Sequence, residues 1–237
     1  MIFSGATGGF KPAVIEEASP NVDDREGPVS LLVMHYTGMP TARAAIDLLT
    51  SARAKVSSHY VVDEDGTIYQ LVDEAKRAWH AGISFWRGQR MLNDASIGIE
   101  IVNPGHSWGY RPFPPAQMQA VLALSRGILA RHNIPARNIV AHSDIAPNRK
   151  QDPGELFPWS WLAAQGVGVW TDACLPTADW QADLAAIGYD PALPARDRLL
   201  AFQRHFLPEI LSGEADQATM ARIAAVRRLV DASGEES

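Results

Sequence analysis

Apolar positions along this chain follow two periods, and the points where the period changes mark the elements. VSLLVMHYT, from Val29, is a continuous apolar run that closes on His35 and Tyr36, the pattern of a strand buried on both faces. TARAAIDLLTSARA follows as a helix, with Thr41 placed to cap it and Ile46 and Leu49 facing inward. HYVVDEDGTIYQLVD sets two β-rich runs around Asp65-Gly66, which predicts a hairpin. ASIGIEIVN is a further strand, stopped by Pro104-Gly105; strict alternation puts Ile97, Ile99 and Ile101 on one face and Gly98, Glu100 and Val102 on the other. PPAQMQAVLALSRGILARHNI is the clearest helix, with proline at its start and Met118, Val121, Leu122, Ser125, Ile128 and Leu129 at helical spacing. NIVAHSD supplies another strand, ending at His142. Strands alternating with helices predict an α/β layer structure whose strand ends carry the chemistry.

The two ends of the chain differ in texture from this middle. The first 28 or so residues are rich in Gly, Pro, Ser and acidic side chains and predict an irregular lead-in. After PWSWLAAQGVGVW, the segment TDACLPTAD reads as a linker, and from about residue 178 short helical segments are split by Gly, Pro and Asp-rich turns. Two units are therefore expected, 1–177 and 178–237, although 237 residues do not require two domains by length alone.

Composition narrows the class. At 46% hydrophobic and 20% charged residues the chain is globular rather than disordered or membrane-embedded. No apolar run reaches the roughly 18 residues of a membrane span. A formal net charge of -6 lacks the basic excess that phosphate-backbone binding needs, so nucleic acid is not an expected partner. The single cysteine, Cys174, cannot form an internal disulfide. The N-terminus shows neither the basic nor the apolar region of a signal segment, so the chain as it stands is expected in the cytoplasm. A chain whose leader had been removed would look the same and would belong to the periplasm or cell envelope. Nothing in the sequence signals oligomerisation, and a monomer is expected.

His35 and His142 differ from the other histidines because each follows an apolar strand run, which places an imidazole at a rigid strand end where a ligand is held well. The loop after His142, SDIAPNRKQDPGELFPW, returns with Lys150 and Asp152. Asp152 is either a turn residue before Pro153-Gly154 or the third member of a two-histidine, one-carboxylate set. Such a set suits zinc and leaves one coordination position open, as catalysis requires; non-haem iron uses the same ligand types. With one cysteine, no cysteine-rich structural site can be assembled. Glu100, inside an apolar strand, either faces solvent on an edge strand or lines the metal cleft, where it could take a proton from water and return it to a leaving amine. Lys150 is either a surface lysine or a charge placed to stabilise a carbonyl oxyanion. Taken together these roles describe metal-assisted hydrolysis of an amide.

VMHYTGMPTARAAIDLLT, VSSHYVVDEDGTIYQLVDEAKRAWHAGISFWRG, LNDASIGIEIVNPG and VAHSDIAPNRKQDPGELFPW, which follow one another over about residues 30 to 170, resemble the type-2 N-acetylmuramoyl-L-alanine amidases. These are the AmpD and AmiD group, related to peptidoglycan recognition proteins and phage T7-type lysozyme, and HAGISFWRG and PGELFPWSWLAAQGVGVW look more like the AmiD branch. The resemblance implies a mixed central β-sheet flanked by helices, zinc held by His35, His142 and Asp152, Glu100 as general base and Lys150 as stabiliser of the intermediate. It implies a peptidoglycan or muropeptide substrate, cut between N-acetylmuramic acid (or its anhydro form) and L-alanine. Trp79, His80 and Asn93 match positions near the family's substrate cleft; packing and loop bonding are the alternative for each. His59 resembles a position that is not a ligand. Ser58 and Asp152 stand where the phage lysozymes and many recognition proteins have tyrosine and cysteine, a departure that fits the AmpD and AmiD group. LAAIGYD, RLLAFQRHF and GEADQATMARI resemble a helical peptidoglycan-binding module, the alternative being helices that only buttress the catalytic unit. Two rival functions remain at this point. A non-catalytic recognition module would typically have lost a ligand, whereas the proposed ligands, base and lysine are all present here; for a zinc peptidase acting on stem peptides, the chain carries no His-Glu-x-x-His helix, which removes the commonest zincin reading but not other metallopeptidases.

Overall fold

In the computed structural model, which describes residues 12–232, the apolar runs become the centre of a six-stranded sheet. The strands are β1 (Val14–Glu16), β2 (Val22–Asp24), β3 (Leu31–Tyr36), β4 (Tyr60–Val62), β5 (Ile68–Gln70), β6 (Lys76–Ala78), β7 (Phe85–Trp86), β8 (Gln89–Arg90), β9 (Ser96–Ile101) and β10 (Ile139–Ala141). The α-helices are α1 (Ala42–Leu49), α2 (Gly105–Trp108), α3 (Pro115–Arg131), α4 (His142–Ile145), α5 (Trp159–Ala164), α6 (Trp180–Ile187), α7 (Ala195–Phe206) and α8 (Gln217–Ala232). Strand order in the main sheet is β1-β5-β4-β9-β3-β10, with only the β4–β5 pair antiparallel. This is the mixed, helix-flanked sheet expected of the family. Among the described residues no helix is long and apolar enough to cross a membrane.

Alternation along β3 and β9 divides the core into two layers. Leu32 and Met34, with Ile97, Ile99 and Ile101, pack under Met118, Val121 and Ile128 of α3. The other face carries Leu31 and Val33 of β3 and Val140 of β10, and these share one apolar cluster with Leu184, Leu199, Phe202, Ile223 and Val226 of the C-terminal helices. Farther along that face, Val61 and Val102 are covered by Ile46 and Leu49 of α1. The segment from residue 178 is thus helical, and its apolar side is continuous with the core of the sheet. Two polar devices reinforce the frame: Thr41 Oγ1 accepts the Ala44 N–H at the start of α1, and Gln117 Nε2 donates to the carbonyls of Val62 and Val102 where β4 and β9 end.

Three local expectations change. The lead-in is not wholly irregular: β1 pairs in parallel with β5, and β2 pairs antiparallel with β6, because each short segment finds an open strand edge; residues 1–11 of that lead-in lie outside the described residues. Arg87 and Gly88, with φ of 49° and 84°, turn β7 into β8, a tight hairpin that the apolar pattern did not reveal. His142 does not end a strand but opens α4, since the Asp144 carboxylate accepts the Ala141 N–H at 2.8 Å and closes a helical turn.

Candidate metal centre and active site

Strand register builds the site. His35 lies directly beside Glu100 across the β3–β9 pair, and Ala141 lies beside Met34, so the next residue, His142, falls next to His35. In parallel strands, residues in register point to the same face, and these ends are the carboxyl ends where open α/β sheets place ligands. Glu100 therefore sits on an interior strand between β3 and β4, not on an edge. Asp152 is brought in by the loop after α4, which is pinned where the Ser143 N–H donates to the Asp152 carbonyl at 3.0 Å.

Three atoms able to bind a metal converge there. His35 Nδ1 is 2.9 Å from His142 Nδ1 and 3.2 Å from Asp152 Oδ2, and His142 Nδ1 is 3.0 Å from Asp152 Oδ2. All three side chains are buried. Hydrogen-bond partners assign the tautomers. The Ser96 hydroxyl donates to the Leu92 carbonyl at 2.6 Å, so its oxygen accepts from His80 Nε2–H at 3.2 Å. His80 Nδ1 is then an acceptor and takes the His35 Nε2–H at 3.0 Å, which leaves His35 Nδ1 with a bare lone pair. His142 Nε2 lies 3.3 Å from the Ala81 carbonyl, to which it can only donate, so its Nδ1 is bare as well. Two lone pairs and a carboxylate oxygen facing one another without a proton repel unless a cation lies among them. Tetrahedral zinc with bonds of about 2.0–2.1 Å needs neighbouring ligand atoms about 3.3 Å apart, within a few tenths of the triangle present. The residues fit a metal ion.

Electrostatics separate the two carboxylates. Burial opposes ionisation of Asp152, and only protonated His142 and His35 rings would draw its carboxyl below the usual range; with both Nδ1 atoms bare, a cation in the triangle is what would offset the burial. Burial, with His142 alongside, pushes the His35 imidazolium down to about 4, and burial likewise lowers His80, so both rings are neutral near pH 7. Glu100 moves the opposite way: burial, then the neighbouring charge of Asp152, raises its pKa well above the ordinary carboxylate value, against a smaller pull from Lys150. Its Oε1 is 3.9 Å from His35 Nδ1, and its Oε2 is buried with no hydrogen-bond partner among the described residues.

A cleft opens over the triangle, lined by Tyr36, Trp79, His80, Glu100, Lys150 and Asp152, with Leu48, Leu49 and Val56 on its apolar side. The structure thus brings together His35, Glu100, His142, Lys150 and Asp152. Trp79 lies on the wall, held by its indole N–H donating to Asp23 Oδ2 at 2.6 Å. His80 lines the cleft yet spends both ring nitrogens on His35 and Ser96. Asn93 is outside the lining; its Oδ1 accepts the N–H groups of His80 and Ala81 at 3.1 and 2.7 Å and so holds the segment that carries His80. His59 is buried away from the triangle, accepting the Gly98 N–H at 3.0 Å. Sequence reasoning passed over Ser96 and Gly98. A glycine inside a strand signals close approach of another group, and a Cβ at Gly98 would lie 2.5 Å from the His80 ring.

Comparison with known proteins agrees with this geometry. The profile of the N-acetylmuramoyl-L-alanine amidase family matches residues 25–155. The N-acetylmuramoyl-L-alanine amidase AmiD of Escherichia coli is 40% identical, over 93% of this chain and 92% of its own. Its structure in complex with the substrate anhydro-N-acetylmuramic acid-L-Ala-D-gamma-Glu-L-Lys superimposes with a TM-score of 0.75, covering 90% of this chain and 91% of that one. AmpDh3 from Pseudomonas aeruginosa, at 31% identity, matches with a TM-score of 0.76 over 97% of this chain and 99% of its own. With a family match over more than half its length, and a relative this similar along nearly all of it, the chain belongs to the N-acetylmuramoyl-L-alanine amidases of the AmpD and AmiD type.

Proposed function

We propose that the protein is a zinc-dependent amidase that hydrolyses the bond between N-acetylmuramic acid, or its anhydro form, and L-alanine in peptidoglycan or muropeptides. The observation that carries the reading is the triangle of His35 Nδ1, His142 Nδ1 and Asp152 Oδ2 with Glu100 in register on the adjoining strand. The substrate bound by the similar AmiD supports the choice of bond. Zinc on those three atoms would supply Lewis acidity to the carbonyl and to the attacking water.

The remaining work falls to side chains of the chain. Glu100, with its pKa raised by burial and by Asp152, is a stronger base when ionised than an ordinary glutamate and, once protonated, an acid able to hand its proton to the departing nitrogen of L-alanine. Its Oε2, without a hydrogen-bond partner among the described residues, is the atom available for that proton. Lys150, on the same cleft, places a positive charge where the carbonyl oxygen becomes anionic. Tyr36 and Trp79 shape the wall against which the substrate lies. Replacing Glu100 by Gln removes the proton acceptor and keeps the size. Glu100→Gln should bind zinc as the parent does and release peptide from a muropeptide about 10²- to 10⁴-fold more slowly. Equal rates for the two proteins would sink the role of Glu100, and a zinc-loaded parent that releases no peptide would sink the amidase reading.

A further inference from the structure

We infer that Tyr189 and His205, both contributed by the C-terminal helical segment, are positioning residues for the metal centre, acting through Asp144. The inference rests on the proposed zinc amidase reading. It assigns the C-terminal helices a part in building the site, beyond covering the sheet.

Asp144 is a carboxylate only 1% exposed, a placement that is costly unless each oxygen is satisfied. Its Oδ1 accepts the Tyr189 hydroxyl at 2.6 Å. Oδ2 accepts His205 Nδ1–H at 2.7 Å and the Ala141 N–H at 2.8 Å. Both side-chain donors are themselves locked: Tyr189 meets Trp86 edge-on with ring centroids 5.2 Å apart, and His205 stacks on Trp159 at 3.9 Å.

What Asp144 holds is α4. A single helical turn has no stability of its own, so outside contacts set its orientation. That turn begins with His142, and its Ser143 N–H fixes the Asp152 carbonyl. Two of the three ligands therefore follow any movement of Asp144. Covering the sheet needs only apolar side chains, and Leu199, Phe202 and Ile223 already provide them. A hydroxyl and an imidazole set among those apolar groups and aimed at one carboxylate therefore have a narrower task. Ligands must sit within about 0.5 Å of productive geometry, and outer partners of metal ligands typically matter by about 10- to 100-fold in metal affinity.

The test uses the full chain, with zinc affinity measured by competition against a chromogenic chelator and the unfolding midpoint of the zinc-free protein measured alongside. Tyr189→Phe and His205→Leu each remove one donor and should weaken zinc binding about tenfold. His205→Asn, whose amide nitrogen takes the place of Nδ1, should recover most of that loss. Val226→Ala, buried on α8 in the same apolar cluster, should lower the unfolding midpoint while leaving zinc affinity at the parent level. The inference is overturned if Tyr189→Phe and His205→Leu lower the midpoint as Val226→Ala does and keep the parent's zinc affinity. Should His205→Leu fail to fold, Tyr189→Phe, which removes a single oxygen, decides the matter. A parent that takes up no zinc sinks the underlying reading and this inference together, whereas a zinc-binding, cleaving parent with unaffected variants sinks the inference alone.

Discussion

Gly98→Ala tests the claim that His80 fixes the tautomer and position of His35. An added Cβ would lie 2.5 Å from His80 Cγ and Nδ1 and 2.8 Å from Cε1. Ordinary carbon contacts are about 3.5–4.0 Å, so the ring must retreat by about 1 Å. It has no room to do so freely, because it is buried and bonded at both nitrogens, to His35 at 3.0 Å and to Ser96 at 3.2 Å. Overpacking of this kind costs about 1–3 kcal/mol, and each buried hydrogen bond lost adds about 1 kcal/mol, giving a destabilisation of about 2–5 kcal/mol. If His35 binds zinc as proposed, zinc affinity should fall by about 10- to 100-fold, since His80, the partner that orients its imidazole, is displaced. Urea unfolding of the zinc-free protein gives the first quantity and chelator competition the second. A Gly98→Ala protein with the parent's urea midpoint and the parent's zinc affinity would refute the proposed link from His80 to His35.

Two further outcomes can be checked separately. Lys150→Met removes the charge and keeps the stem; it should lower kcat about 10²- to 10³-fold with zinc content unchanged, and a loss of zinc instead would make Lys150 part of the metal site rather than a stabiliser of the oxyanion. Glu74 accepts from Arg131 at 2.7 and 3.0 Å, from His132 at 2.8 Å and from Tyr60 at 2.7 Å. Burial works against its ionisation, but these donors, Arg131 foremost, hold its pKa at about 2 against an ordinary 4.5. The fold thus favours the ionised form, so this stabilisation is complete above pH 4.5 and is lost as pH falls toward about 2. Glu74→Gln should therefore be less stable than the parent near neutral pH, and the gap, read by urea unfolding, should narrow on acidification; a widening gap would contradict the assignment.

Long apolar runs made the central elements legible. β3 and β9 each present six residues with uninterrupted or alternating apolar character, and α3 spans 17 residues with proline at its first position, so their type and inward faces could be read directly. Periodicity also placed Glu100 opposite the face of Ile99, but not beside His35, since register between strands distant in sequence arises only when the sheet assembles. Strands of two or three residues, such as β1, β2 and β7, are too short to carry a period and exist because a partner edge is available. Val14 and Ile15 of β1 are in fact exposed, so no burial pattern could have marked them. Within the site, the members of the triangle were legible from the two histidines that follow apolar strand runs and from the returning aspartate. The supporting places of His80 and Asn93 were not, because whether a polar side chain meets substrate or neighbour depends on which loop folds behind it. The helical character of the C-terminal segment was legible, and Phe202 and Phe206 are buried there, while the polar aim of Tyr189 and His205 at Asp144 could be found only in three dimensions.

The central claim is that water is added across the amide joining the lactyl group of the sugar to L-alanine. Incubation of the zinc-loaded protein with anhydro-N-acetylmuramic acid-L-Ala-D-gamma-Glu-L-Lys in water enriched in heavy oxygen, followed by mass spectrometry of the products, tests it most directly. The account predicts heavy oxygen in the lactyl carboxylate of the sugar and an unlabelled peptide with a free L-alanine amino group. Label in a peptide carboxylate, with L-alanine still attached to the sugar, would show a peptidase and contradict the account.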